Sequence, residues 1–168
     1  MNAAGLRNDL EAGPLTFAML FDVHPFGNTL VRLTLTGEQV LRLLEQQWSG
    51  PNADSPRFLR VSGLRYVYDL SQPVGRRVVA ADDAHGEPID PARNYSVVAN
   101  DFIVGGGDHY SVLAEGTAAT PLMSDLAALE AYIHHAPGPV KAALDGRARP
   151  FAERLRPAPG AGPRPNGG

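Results

Sequence analysis

The chain has 168 residues, a net charge of −3 and no cysteine, which suits one domain with a sizeable core and excludes disulfides, thiolate metal sites and a thiol nucleophile. With no strongly basic stretch, a nucleic-acid backbone is a poor candidate partner. No run is long and apolar enough to cross a bilayer, so no membrane partner is expected, and MNAAGLRNDLEAG lacks the apolar core of a signal peptide.

Thr16 to Asp22 reads as a short helix capped by Thr16, and VHPFGN then turns the chain at Pro25 and Gly27. In TLVRLTLT, Val31, Leu33 and Leu35 alternate with Arg32, Thr34 and Thr36, the period of a half-buried strand. Thr36 and Gln39 form a capping-box pattern. It opens a helix whose Val40, Leu43, Leu44 and Trp48 recur at helical spacing, and Gly50-Pro51 stops it. SGPNADSPR is loop by composition. LRVSGLRYVYDL and GRRVVAADD read as strands joined through a Pro-Gly-containing turn, EPIDPARN as a loop, and NYSVVANDFIV as a strand leading into three glycines. Ser124 caps a helix through SDLAALEAYIHH, closed by Pro137-Gly138. After about Pro150 the tail LRPAPGAGPRPNGG cannot build a core and is expected to be disordered. The order is α+β: a single domain over residues 1–150 of mixed, largely antiparallel strands and packed helices, without a βαβ rhythm, followed by a tail over 151–168.

Three segments carry chemistry. GGGD, after an apolar run, has the small residues of an anion-cradling nest but neither the Lys-Ser/Thr of a P-loop nor the spacing of a dinucleotide fingerprint. On motif grounds alone a plain turn is favoured. Its neighbours raise the functional reading. Phe102 offers a planar face for stacking, and Asp108, directly after the glycines, can accept two hydrogen bonds from a vicinal diol. HPFGN repeats the theme with Phe26 between Pro25 and Gly27. A lone Phe is more often a core plug, but two Phe residues flanked by turn glycines could sandwich one base. FDVHPFG also contains Asp22-x-His24, which is how a dinuclear metal site can begin. No GNH[DE] or GHxH pattern follows, so both are read as polar surface or loop residues, and neither a metal site nor a catalytic residue is expected in this chain.

NAAGLR, HPFGN, LRVSGLRYVYD, PIDPARNYSVVANDF and GGGDHY resemble, in that order, the C-terminal domain of the 5'-nucleotidases, a family that includes UDP-sugar hydrolases and 2',3'-cyclic phosphodiesterases. The resemblance runs from Asn2 to about Ile133. It implies a nucleoside- or nucleotide-recognition domain in which Phe26 and Phe102 clamp the base and Asp108 holds the ribose hydroxyls. Arg7 would meet the ribose or phosphate side, Asn2 the base or ribose, and Asn28 the substrate edge, while Gly63 would allow close approach of its loop. Ala4 stands where the family usually has a second Gly, and His109 where it has a small residue. The resemblance also implies a pair of divalent metals and a catalytic Asp-His pair in an N-terminal metallophosphoesterase domain, in cis or in trans. None of that domain is read in these residues, so no cofactor is expected in this chain.

Two functions remain open at this point. One is the substrate-specificity domain of a phosphoric ester hydrolase of nucleotide catabolism, with Met1 standing where longer sequences have an internal Met. The other is a relic or interaction domain that no longer binds nucleotides, against which the survival of Phe26, Phe102 and Asp108 argues. The family is periplasmic or extracellular while the N-terminus shows no export signal, so the compartment is undecided.

Overall fold

The structure, a computed structural model, describes residues 1–141 and 145–151. Helix α1 (Phe17–Val23) starts on Thr16, whose hydroxyl accepts from the Met19 N–H. Strand β1 (Thr29–Thr36) follows and runs directly into α2 (Gly37–Glu45). Both halves of the capping box form there: Gln39 N–H donates to the Thr36 hydroxyl at 3.2 Å, and the Gln39 side chain accepts from the Thr36 N–H at 2.8 Å. The helix tightens into a 3-10 turn over Gln46–Trp48 before Gly50 takes a positive φ of 54°.

Strands β2 (Leu64–Tyr68), β3 (Val78–Asp83) and β4 (Asn94–Asn100) come next, then a one-turn helix α3 (Asp101–Val104). Strand β5 (Thr117–Ser124), helix α4 (Asp125–His135) and a short β6 (Ala148–Pro150) complete the order. Ser124 caps α4 by accepting from the Ala127 N–H, as its sequence implied. The strands form two sheets, β4-β1-β5 and β3-β2-β6, antiparallel except for the β2–β6 pair. The fold is therefore the α+β arrangement the sequence suggested.

Helix α2 lies between the sheets and supplies both cores. Val40 and Leu43 join Leu33, Leu35, Ala99, Ile103 and Tyr110 on the first sheet's side. Leu44 and Trp48 join Tyr66, Ala81 and Ile89 on the other. The start of α2 is packed so closely on the 88–93 loop that a Cβ on Gly37 would stand 2.0 Å from the Asp90 carbonyl oxygen. That loop in turn accepts two of the helix's otherwise orphaned N–H groups, Gly37 to Arg93 O and Glu38 to Pro91 O.

Two expectations are corrected, and one strand was not foreseen. NYSVVANDFIV is a strand only as far as Asn100. There the Asn100 side chain accepts from the Ile103 N–H at 3.1 Å and starts α3, so Phe102 stands on a helical turn. In LRVSGLRYVYDL the strand is confined to Leu64–Tyr68, after Gly63 turns at a positive φ of 69°. Strand β5 had no counterpart in the sequence reading. The tail after Pro150 lies outside the described residues except for Phe151.

Candidate functional site: a cleft between three loops

A cleft of about 200 Å³ opens where three segments far apart in sequence meet. The first is the N-terminal stretch. Met1 and Ala3 pair with the chain at Phe58 and Arg60: Arg60 N–H donates to Met1 O at 2.7 Å and Ala3 N–H to Phe58 O at 2.9 Å. Asn2 is thereby buried, and its amide nitrogen donates to Asp108 Oδ2 at 2.6 Å. Its oxygen accepts from the Asn100 amide at 3.3 Å, so one buried Asn ties two segments together. Gly5 leaves room for this: a Cβ there would come within 3.2 Å of Asn2 Oδ1. Two residues on, the Arg7 N–H donates to Val23 O, and the Arg7 guanidinium lies 5.8 Å from the centre of the Phe26 ring.

The second segment is the turn after α1. Gly27 has a positive φ of 60°, and Phe26 beside it is 55% exposed. The third is the glycine stretch after α3. Phe102 is 49% exposed. Gly106 occupies the left-handed region at φ 91°, and a Cβ on Gly107 would lie 2.5 Å from the Phe102 carbonyl oxygen and 2.6 Å from its ring. The glycines thus fold the chain back over Phe102 and fix where its ring stands. Asp108 and His109 follow, both at positive φ without being glycine, a conformation that costs an L-residue on the order of 1–2 kcal/mol.

Strain of this kind persists where its surroundings over-determine it. Here the restraint comes from Asn52, buried within the SGPNADSPR stretch that composition marks as loop. Its amide donates to the Asp108 carbonyl and to the Gln46 carbonyl, both at 2.9 Å. The next residue after the strained pair, Tyr110, is fully buried and donates its hydroxyl to the Arg57 carbonyl. Burial raises the Tyr110 hydroxyl's pKa above the ordinary tyrosine range, and the Asp108 carboxylate pushes it the same way.

Six of the seven residues singled out from the sequence, Asn2, Arg7, Phe26, Asn28, Phe102 and Asp108, line this one cleft. Gly63 does not; it sits on the wall of a separate, larger and mostly apolar cavity of about 510 Å³. Asn52 and Asn100, which hold Asp108 and the start of α3, were missed: the partner of Asn52 lies far along the chain, and the Asn100 cap is hidden in a stretch that reads as continuous strand. Asp22 is exposed, but His24, in the turn just after α1, is buried against Asp125, so it is a loop residue but not a surface one. Among the described residues no group of three or more metal-ligating side chains stands together, and no helix is long and apolar enough to cross a membrane.

This fold and cleft place the chain among the α+β domains that close larger nucleotidases. It is similar in structure to the 5'-nucleotidase precursor of Thermus thermophilus (TM-score 0.78, 39% identity), covering 89% of this chain and 30% of that one. The family model for the 5'-nucleotidase C-terminal domain matches residues 1–115, and the chain belongs to that family. Among curated relatives, an apyrase of Tabanus yao is 33% identical over 125 residues, covering 68% of this chain and 23% of its own length. The trifunctional nucleotide phosphoesterase protein YfkN of Bacillus subtilis (strain 168) is 35% identical over 120 residues, covering 69% of this chain and 8% of its own. The chain thus spans about a quarter or less of the length of these relatives.

Proposed function

We propose that this domain recognises the nucleoside part of a nucleotide for a 5'-nucleotidase-type phosphoric ester hydrolase. The base would lie between Phe26 and Phe102, and the ribose diol would bind the Asp108 carboxylate. Arg7, beside Phe26, would meet oxygen acceptors of the ribose or phosphate. The observation that carries this reading is the convergence on a single cleft of two half-exposed Phe rings and one carboxylate, with Phe102 and Asp108 lying 76 and 82 residues beyond Phe26 in sequence.

The chemistry of the residues supports it. Stacking on an aromatic face is worth on the order of 1–3 kcal/mol per base and accepts any base. Asn2 occupies only Oδ2 of Asp108 among the described residues, which leaves Oδ1 to accept from a sugar hydroxyl. A cleft of this size holds part of a ligand and leaves the rest to project outward, as a phosphate destined for a second domain must. The metal pair that the family resemblance implies does not fit the residues described here, since no cluster of ligands exists among them to hold it. Hydrolysis would therefore belong to a metallophosphoesterase domain in cis or in trans.

Calorimetric titration with adenosine tests the reading. The parent should release heat on binding and Phe102→Ala should bind markedly more weakly. No heat from either protein would overturn it in favour of a domain that no longer binds nucleosides.

A further inference from the structure

Neither His24 nor Asp125 lines the cleft, yet both are buried where an apolar pair would be expected. His24 is 1% exposed and Asp125 is 4% exposed, with His24 Nδ1 at 3.3 Å from Asp125 Oδ2. The contact is within ion-pair range but off the line of a good hydrogen bond, and His24 Nε2 has no partner among the described residues. Burying a histidine and a carboxylate with their polar atoms incompletely paired is unfavourable, and an apolar pair of similar volume usually stabilises as well or better. The pair therefore needs a reason beyond stability.

The geometry around Asp125 supplies one. His24 ends α1, and its N–H donates to Leu20 O at 3.0 Å. The chain then passes through Pro25, Phe26 and Gly27 and returns at Asn28, whose carbonyl accepts from the Asp125 N–H at 2.9 Å. The register that sets Thr29 opposite Ser124 brings this second contact about. Asp125 is itself fixed, because its Oδ1 accepts from the Leu126 N–H at 2.8 Å at the start of α4. One residue thus grips both ends of a short turn whose large exposed side chain is Phe26.

We infer that the buried His24–Asp125 pair is a positioning element that holds the Pro25–Gly27 turn so that Phe26 stands at the nucleoside cleft. The inference rests on the proposed function for its ligand but not for its geometry. The side chains act through the turn and touch no substrate.

The test combines adenosine calorimetry with amide hydrogen exchange of the ligand-free full chain, applied to His24→Ala, His24→Asn and the isosteric Asp125→Asn. In His24→Ala, exchange at position 24 and at Asp125, the two hydrogen-bonded amides at the ends of the turn, should quicken about tenfold or more, while Leu33 and Leu35 in β1 keep their parental protection. Affinity for adenosine should fall about tenfold, the order expected of a displaced stacking ring. His24→Asn, which keeps a donor close to the Nδ1 position, should restore most of both. Parental exchange at position 24 and Asp125, or equally faster exchange throughout α1, α4 and β1, would overturn the inference and leave the pair a general tie between elements. If His24→Ala does not fold, Asp125→Asn carries the same comparison. A parent that binds no adenosine refutes the proposed function, while the exchange pattern still decides the role of the pair.

Discussion

The Asn2 side chain donates to the Asp108 carboxylate at 2.6 Å across 106 residues of chain. Because Asn2 is buried and also accepts from Asn100, it fixes the direction in which Asp108 faces the cleft. Asn2→Ala would leave the Asn100 amide without its acceptor and remove a charge-assisted hydrogen bond, a loss of about 1.5–3 kcal/mol. Urea denaturation should show that loss, and calorimetry should show weaker adenosine binding. A variant as stable as the parent would mean that the bond is replaced by water at no cost.

Gly106 and Gly107 should respond differently to the same change. Gly107→Ala drives a methyl group into the Phe102 ring and backbone, so the ring must move and binding should fall about tenfold or more. Gly106→Ala meets nothing within 4 Å, and its cost is backbone strain at φ 91°, about 1–2 kcal/mol of stability. Thermal unfolding and adenosine titration of both variants separate the two effects. Equal loss of affinity in both would contradict the packing argument.

His109 is exposed and sits at φ 65°. His109→Gly removes the left-handed strain, worth about 1–2 kcal/mol, but adds about 0.5–1 kcal/mol of unfolded-state entropy. The net expectation is a gain of roughly 0.5–1 kcal/mol, read as a rise of a few degrees in Tm. A fall in Tm would show that the His109 side chain makes a contact that outweighs its backbone cost.

Tyr110 and Tyr66 both have hydroxyl pKa values raised, in each case chiefly by burial. The fold thus favours the neutral phenol. This contribution is complete below the unfolded tyrosine pKa of about 10 and is lost as pH climbs towards the raised folded value. Each tyrosine should steepen alkaline destabilisation by up to about 1.4 kcal/mol per pH unit in that window. Tyr110→Phe loses the hydrogen bond to Arg57 and about 1 kcal/mol at neutral pH, yet should show a shallower decline above pH of about 10. Denaturant melts across alkaline pH check this, and parallel declines in parent and variant would refute it.

What the sequence disclosed was local or paired with recognisable motifs. The capping box at Thr36 and Gln39 and the Thr16 and Ser124 caps involve residues three apart, so a short window contains both partners. The Phe26 and Phe102 loops announced themselves by turn glycines. The stretch DFIV misled because β-branched Ile103 and Val104 favour a strand, whereas the Asn100 cap and the glycines behind it won. Strand β5 escaped because it is an edge strand exposed along nearly its whole length, with Pro121 in its middle, so it shows no alternation to read. The buried polar residues Asn52, Gln47 and His24 were illegible for another reason. Their partners, Asp108, Tyr66 and Asp125, are brought by the tertiary fold, and nothing in the neighbouring sequence marks them.

The two Phe residues offer the sharpest test of the site. If Phe26 and Phe102 hold opposite faces of one base, removing either releases the base from both, and the second removal costs less than the first. Phe26→Ala and Phe102→Ala should each weaken adenosine binding by about 1–3 kcal/mol, with the double variant well short of the sum. Phe26 carries a further contribution, since the Arg7 guanidinium lies near its ring and an exposed pairing of this kind adds about 0.5–1 kcal/mol. Phe26→Ala should therefore also lower stability slightly, whereas Phe102→Ala, whose ring rests on a glycine, should lower it less. Both rings are about half exposed, so neither truncation opens a core cavity and the affinities can be compared in folded protein. Strictly additive losses would place the rings on separate parts of the ligand, and the sandwich would have to be abandoned.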